Sequence, residues 1–288
     1  MSSPAEPAER DEPAEPAERD EPAEPAERDE FYADGLVARI YAPGRPGRLP
    51  GLVEVHGGAW NGLSYRSDDA LNRELARRGI FVASLEFRQG AEGAYPKSVR
   101  DVTAGIEWLA ANRERFGLTR IGALGNSSGG HQVMLTALLP GEPGFTDVPA
   151  DRAARLDFVV LCWPVIDPRA RYEWAVTSGN RPTLAGKHLD YWGDAETMAE
   201  GSPQHVLAGA RHRHLPPALV IQGSDDENLP PGMLDTFVRT YRAAGGQIEA
   251  ETFEGQGHNF VIRDFATDAA RHAVDVISDF ILTERPAA

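Results

Sequence analysis

Gly125-Asn126-Ser127-Ser128-Gly129-Gly130 is the stretch on which the fold turns. It follows a short run, Arg120 to Leu124, that reads as a strand, and it opens a segment running to about Leu139 that reads as a helix. A strand that turns at once into a helix strains the backbone at the serine and crowds the neighbouring chain, which is why the turn needs glycines. Ser127 is thereby presented at a helix N-terminus, where free N–H groups and the positive end of the helix dipole favour a developing anion. It is the candidate nucleophile; the adjacent Ser128 is the rival but lacks the symmetric glycines.

Upstream, His56-Gly57-Gly58-Ala59-Trp60 sits directly after the apolar run Leu52 to Val55. Acyl transfer places negative charge on a former carbonyl oxygen, and preorganised backbone N–H groups stabilise it. Gly57, Gly58 and Ala59, together with Ser128, are the candidate oxyanion-hole residues, whereas His56 reads as a structural residue holding the loop. Downstream, Gly223-Ser224-Asp225-Asp226-Glu227-Asn228-Leu229-Pro230 follows the run Ala218 to Gln222, and Gly255-Gln256-Gly257-His258 follows Ile248 to Phe253. Serine, acid and histidine thus each come after a strand, and the carboxyl ends of strands in an open α/β sheet share one edge, where ligands bind. In such a trio His258 removes the proton of Ser127 and a carboxylate orients the imidazole.

The rest of the body alternates β-rich runs with helical stretches, the signature of an α/β fold with a mostly parallel central sheet and helices on both faces. Strands are expected at Leu36 to Tyr41, Leu52 to Val55, Ile80 to Phe87 and Phe158 to Trp163; helices at Arg66 to Arg78, Ser98 to Arg115, Met233 to Ala244 and Ala266 to Leu282. Between Asp167 and His214 the periodicity disappears over a stretch too long for a simple connection, so 167–214 is a candidate lid.

Residues 4–12, 13–21 and 22–30 are three identical copies of Pro-Ala-Glu-Pro-Ala-Glu-Arg-Asp-Glu, which together carry −9 of the formal charge of −15. With no aromatic or β-branched residue, residues 1–30 read as a disordered acidic tail, and residues 31–288 as a single domain. The acidic balance argues against nucleic acid and anionic membranes as partners, which demand basic patches. No run approaches the ~20 apolar residues of a membrane span, and the acidic, Pro-rich N-terminus does not read as a secretory signal, so the expected setting is cytoplasmic. The lone cysteine, Cys162, lies in an apolar run and reads as a buried small hydrophobe. His212 and His214 lack partners at ligand spacing and read as surface loop residues, so neither a metal nor another cofactor is implied. A small-molecule substrate is expected, and a homodimer is compatible with everything read so far.

His-Gly-Gly-Ala-Trp at 56–60, the turn at 125–129, the stretch 223–230 and Gly257-His258 together resemble the α/β-hydrolases of the hormone-sensitive-lipase and carboxylesterase branch, with kynurenine formamidases as close relatives. The resemblance runs from about Leu36 to the C-terminus. It implies the α/β-hydrolase fold with an inserted cap and Asp226 as the acid, with Asp225 as the fallback. It also implies a serine carboxylesterase cleaving small or medium acyl esters through an acyl-serine. Where lipases of this branch commonly show three glycines, this chain has Ala59 and Trp60, a form that looks closer to arylformamidases. On that side, Trp60, Trp163 and Tyr191 would line an aryl pocket for amide hydrolysis. Relatives on this fold also perform lyase, cyclase and acyl-transfer reactions.

Overall fold

Phe81–Leu85 and Phe158–Cys162 are buried at every position, and strands without a solvent face have to be covered on both sides. In the computed structural model, which describes residues 23–44, 47–178 and 181–283, both lie inside an eight-stranded sheet. Its strands are β1 (Ala26–Ala33), β2 (Leu36–Ala42), β3 (Leu49–Val55), β4 (Phe81–Leu85), β5 (Leu118–Asn126), β6 (Phe158–Cys162), β7 (Ala218–Gly223) and β8 (Ile248–Phe253). They stand in the order β1-β2-β4-β3-β5-β6-β7-β8. The β1–β2 and β2–β4 pairs are antiparallel and the remaining pairs parallel. The expected α/β architecture is the one observed.

The helices are α1 (Asp69–Arg77), α2 (Lys97–Ala111), α3 (Ser128–Leu138), α4 (Pro168–Thr177), α5 (Pro182–Trp192), α6 (Ala195–Glu200), α7 (Pro203–Ala208), α8 (Met233–Ala243), α9 (Phe260–Arg263) and α10 (Asp268–Leu282). From β3 the chain crosses one way to β4 and then back past β3 to β5, so right-handed crossovers put α1 and α2 on opposite faces. α1 packs with α9 and α10, while α2 packs with α3, α3 with α7 and α7 with α8. On α10 the buried residues Ala270, Ala273, Val274, Ile277 and Ile281 recur at helical spacing, and truncating Ile277 to alanine would cost about 2–5 kcal/mol. The reversal at β3 leaves a crevice at the carboxyl ends of β3 and β5, the place where open α/β sheets bind ligands.

Two expectations need correction. The acidic tail does not extend to residue 30: Ala26 to Glu30 form the first part of β1, paired with β2. Alternation sends Glu27 and Asp29 to one face, where Arg39, Arg73 and Arg66 meet them, and Glu30 to the other, where Arg115 does. Low apolar content forbids a core, but main-chain pairing on a sheet edge backed by ion pairs does not need one. Copies one and two of the repeat, and Pro22 of copy three, lie outside the described residues. The segment 167–214 is the second correction, since it holds four short helices, α4 to α7, rather than patternless chain. Asp167, Asp194 and Ser202 each accept the backbone N–H three residues on, and prolines open α4, α5 and α7. Helix starts packed this closely leave no stretch long enough for periodicity to show.

Candidate active site

Ser127 ends the β5-to-α3 turn with φ at 52°, a strained value for a side chain that only the tight turn demands. Gly129 makes the turn feasible, because a Cβ there would sit 2.1 Å from the carbonyl oxygen of Val55 on β3. The hydroxyl of Ser127 lies 3.0 Å from Nε2 of His258, which stands on the loop after β8. On the other side of the ring, Nδ1 donates to Oδ2 of Asp226 at 2.8 Å, and Oδ1 of that carboxylate accepts the backbone N–H of Asn228 at 2.8 Å. Residues separated by 131 and 32 positions in the chain are therefore joined in one relay. Asp225 is exposed and accepts from the Ser224 hydroxyl instead. Burial holds the His258 imidazole below its ordinary value, opposed by the Asp226 carboxylate, so the ring is a neutral proton acceptor at neutral pH.

Gly58 and Ala59 border the same cleft as Ser127 and His258, which encloses about 390 Å³. Both have positive φ, at 109° and 53°, and a Cβ on Gly58 would come 1.9 Å from the carbonyl oxygen of Gly62. The amide of Ser128 is among the first of α3, which have no intrahelical acceptor. Gly57 is set further back, packed on Asn126 and Ser127. The Ser128 hydroxyl accepts the backbone N–H of Trp60 at 3.2 Å and so ties the loop after β3 to the start of α3. His56 is fully buried, donates to the Gly57 carbonyl and stacks on Phe87, which is the structural role expected of it.

Beneath this turn lies a buried polar cluster that the sequence reading did not single out. Asn126, the residue before Ser127, donates to Asp68 at 2.6 Å and to Glu54 at 3.3 Å. Burial, with the Asp68 carboxylate alongside, pushes the Glu54 carboxyl well above its usual range. A glutamate inside the apolar strand Leu52-Val53-Glu54-Val55 was the available signal.

The three aromatic residues expected to line a substrate pocket do not line this cleft. Trp60 and Tyr191 are about 1% exposed and stack on each other at 4.9 Å, with His131, His188 and Trp192 edge-on to Trp60. Trp163 is fully buried against the rings of His258 and Phe260. Large flat side chains next to a glycine-rich site serve here as interior packing and not as a contact surface. Cys162 is buried, as expected.

The cleft wall missed in the sequence comes from α4 and α5. Arg171 lines it at 1% exposure, its Nε and Nη2 donating to the main-chain and side-chain oxygens of Asn228 at 2.9 and 2.7 Å. Burial brings its guanidinium down to about 9, partly offset by Asp226, so it is still a cation at neutral pH. Leu184 and Lys187 of α5 complete that side. A larger groove of about 550 Å³, bordered by Tyr95, Phe145 and Arg211, is not lined by any of the three relay residues.

Residues 52–262 match a family model described as alpha/beta hydrolase fold, a span that takes in all three relay residues. The chain belongs to this family. Esterase LipC of Mycobacterium tuberculosis is similar to this hydrolase-fold chain, 30% identical over 78% of the chain and 57% of LipC. So is the isoprenylcysteine alpha-carbonyl methylesterase ICME of Arabidopsis thaliana, at 27% identity over 85% of the chain and 58% of that enzyme. The chain thus spans less than two thirds of the length of these curated relatives. Among solved structures, the esterase of the hyperthermophilic archaeon Pyrobaculum calidifontis superposes with a TM-score of 0.74 at 26% identity, covering 90% of this chain and 86% of its own. No helix among the described residues is long and apolar enough to cross a membrane.

Proposed function

We propose that this hydrolase-fold protein is a serine carboxylesterase that cleaves a carboxylic ester of a small or medium acyl group. The single observation that carries the reading is the Asp226–His258–Ser127 relay, with contacts of 2.8 and 3.0 Å opening on the cleft. His258 accepts the Ser127 proton as the hydroxyl oxygen attacks the ester carbonyl, and Asp226 stabilises the imidazolium so formed. The negative charge passes to the carbonyl oxygen, where the N–H groups of Gly58, Ala59 and Ser128 receive it, with Gly57 supporting the loop. Collapse expels the alcohol, which takes the proton from His258, and leaves acyl-Ser127. Water, deprotonated by the same imidazole, then releases the acid and restores the hydroxyl. The esterase and methylesterase relatives favour esters over amides.

Arylformamidase-like amide cleavage rested on an aryl pocket built from Trp60, Trp163 and Tyr191, and their burial removes that support. The segment 167–214 acts as the cap in this reading, supported by Arg171, Thr183, Leu184 and Lys187 on the cleft wall. A cytoplasmic setting and the absence of nucleic-acid partners complete the proposal, the latter supported by the charge of −15. A panel of p-nitrophenyl esters of graded acyl length tests it. Hydrolysis by the wild type that disappears in Ser127→Ala is expected; hydrolysis that persists in the variant refutes the reading.

A further inference from the structure

In a chain with a net charge of −15, none of the described residues lining the cleft at Ser127 is acidic. Arg171 and Lys187 both line it. The Nη1 group of Arg171 is buried without a hydrogen-bond partner, and among the described residues Arg171 makes no ion pair. Asp226 is the acid that Arg171 feels most, and it is already committed to His258. A third cation, Arg181, is close enough to repel Arg171 and rests over the Trp174 ring. A buried cation whose nearby carboxylate is already held by another group is costly, and no apolar substrate gains from it. Asn228 explains two of the three nitrogens of Arg171 as anchors of the Asp226 loop, and leaves Nη1 unexplained.

We propose that the natural ester carries a carboxylate, which Arg171 and Lys187 hold while Ser127 attacks the ester carbonyl. The substrate class is then a half-ester of a dicarboxylic acid, or an ester with an equivalent free carboxylate. This rests on the esterase reading above and narrows it. A guanidinium and an ammonium presented from successive helices supply both a directed donor and a point charge to a planar anion.

The test compares monomethyl succinate, glutarate and adipate with uncharged methyl esters of matching chain length, at fixed ionic strength. The readout is the ratio of kcat/KM for charged over neutral ester. The wild type should favour one half-ester by about tenfold or more, and Lys187→Gln should lower that ratio about tenfold, chiefly through KM. Lys187→Arg should restore much of it, and added salt should erode it. A wild-type ratio of one or less, or a ratio unmoved by Lys187→Gln, overturns the proposal. Hydrolysis of neither ester would instead sink the esterase reading and this inference with it.

Discussion

Replacing Asp226 by asparagine should remove most of the activity without disturbing the fold, and the hydrogen bonds around the residue say why. The carboxylate oxygen Oδ1 accepts the N–H of Asn228, while Oδ2 accepts the N–H of His258 Nδ1. An asparagine keeps the first bond only by placing its oxygen toward Asn228, which turns its NH₂ toward His258. Nδ1 must then accept, the ring carries its proton on Nε2, and that nitrogen can no longer take the proton of Ser127. The loss of a correctly held tautomer in a Ser–His–Asp relay costs on the order of 10⁴ in kcat. KM should change little, because Asp226 faces the imidazole rather than the ester. The assay is steady-state hydrolysis of a short p-nitrophenyl ester, with circular dichroism to confirm folding. Asp225→Asn serves as the comparison, since its carboxylate contacts the exposed Ser224 hydroxyl. An Asp226→Asn enzyme retaining more than about a tenth of kcat, or an Asp225→Asn enzyme losing as much as Asp226→Asn, would refute the reasoning.

The acid limb of kcat/KM should have its midpoint below the ordinary imidazole value of 6.5, because a lowered His258 stays neutral, and able to accept a proton, to lower pH; a midpoint above that value would contradict it. Gly58→Ala, which combines a φ of 109° with a Cβ 1.9 Å from Gly62 oxygen, should displace the loop after β3 and lower kcat by about 10²–10³, as measured on the same ester. Glu27, held down at about 2 chiefly by its hydrogen bond to Arg73, contributes stability above its ordinary value of 4.5 that is lost as pH falls toward 2. Urea midpoints recorded across that window should lose this component in Glu27→Gln, and an unchanged profile would show that β1 gains nothing from the ion pair.

Much of the site was legible because each element of it sits at a strand end with its own punctuation. Gly58, Gly125, Gly129 and Gly130 mark places where chains pass too close for side chains, and such places can be read one residue at a time. The start of strand β1 was hidden for the opposite reason: Ala26 to Glu30 are individually poor strand formers, and pairing with β2 and arginines at positions 39, 66, 73 and 115 order them. Arg171 gave no local signal either, since its importance comes from being folded under Asn228, 57 positions away. The aromatic residues misled because Trp60 and Tyr191, 131 positions apart in sequence, find each other in the interior before any ligand can reach them. The position of the Ser127, Asp226 and His258 relay follows from strand order, whereas the lining of the cleft beside it follows from packing.

The most direct measurement is covalent capture of the nucleophile. Incubation with a fluorophosphonate, followed by peptide mass mapping, should place a single adduct on Ser127, with none formed in Ser127→Ala and labelling strongly slowed in His258→Ala. An adduct on Ser128, or an esterase that turns over normally while Ser127 stays unmodified, would contradict the account.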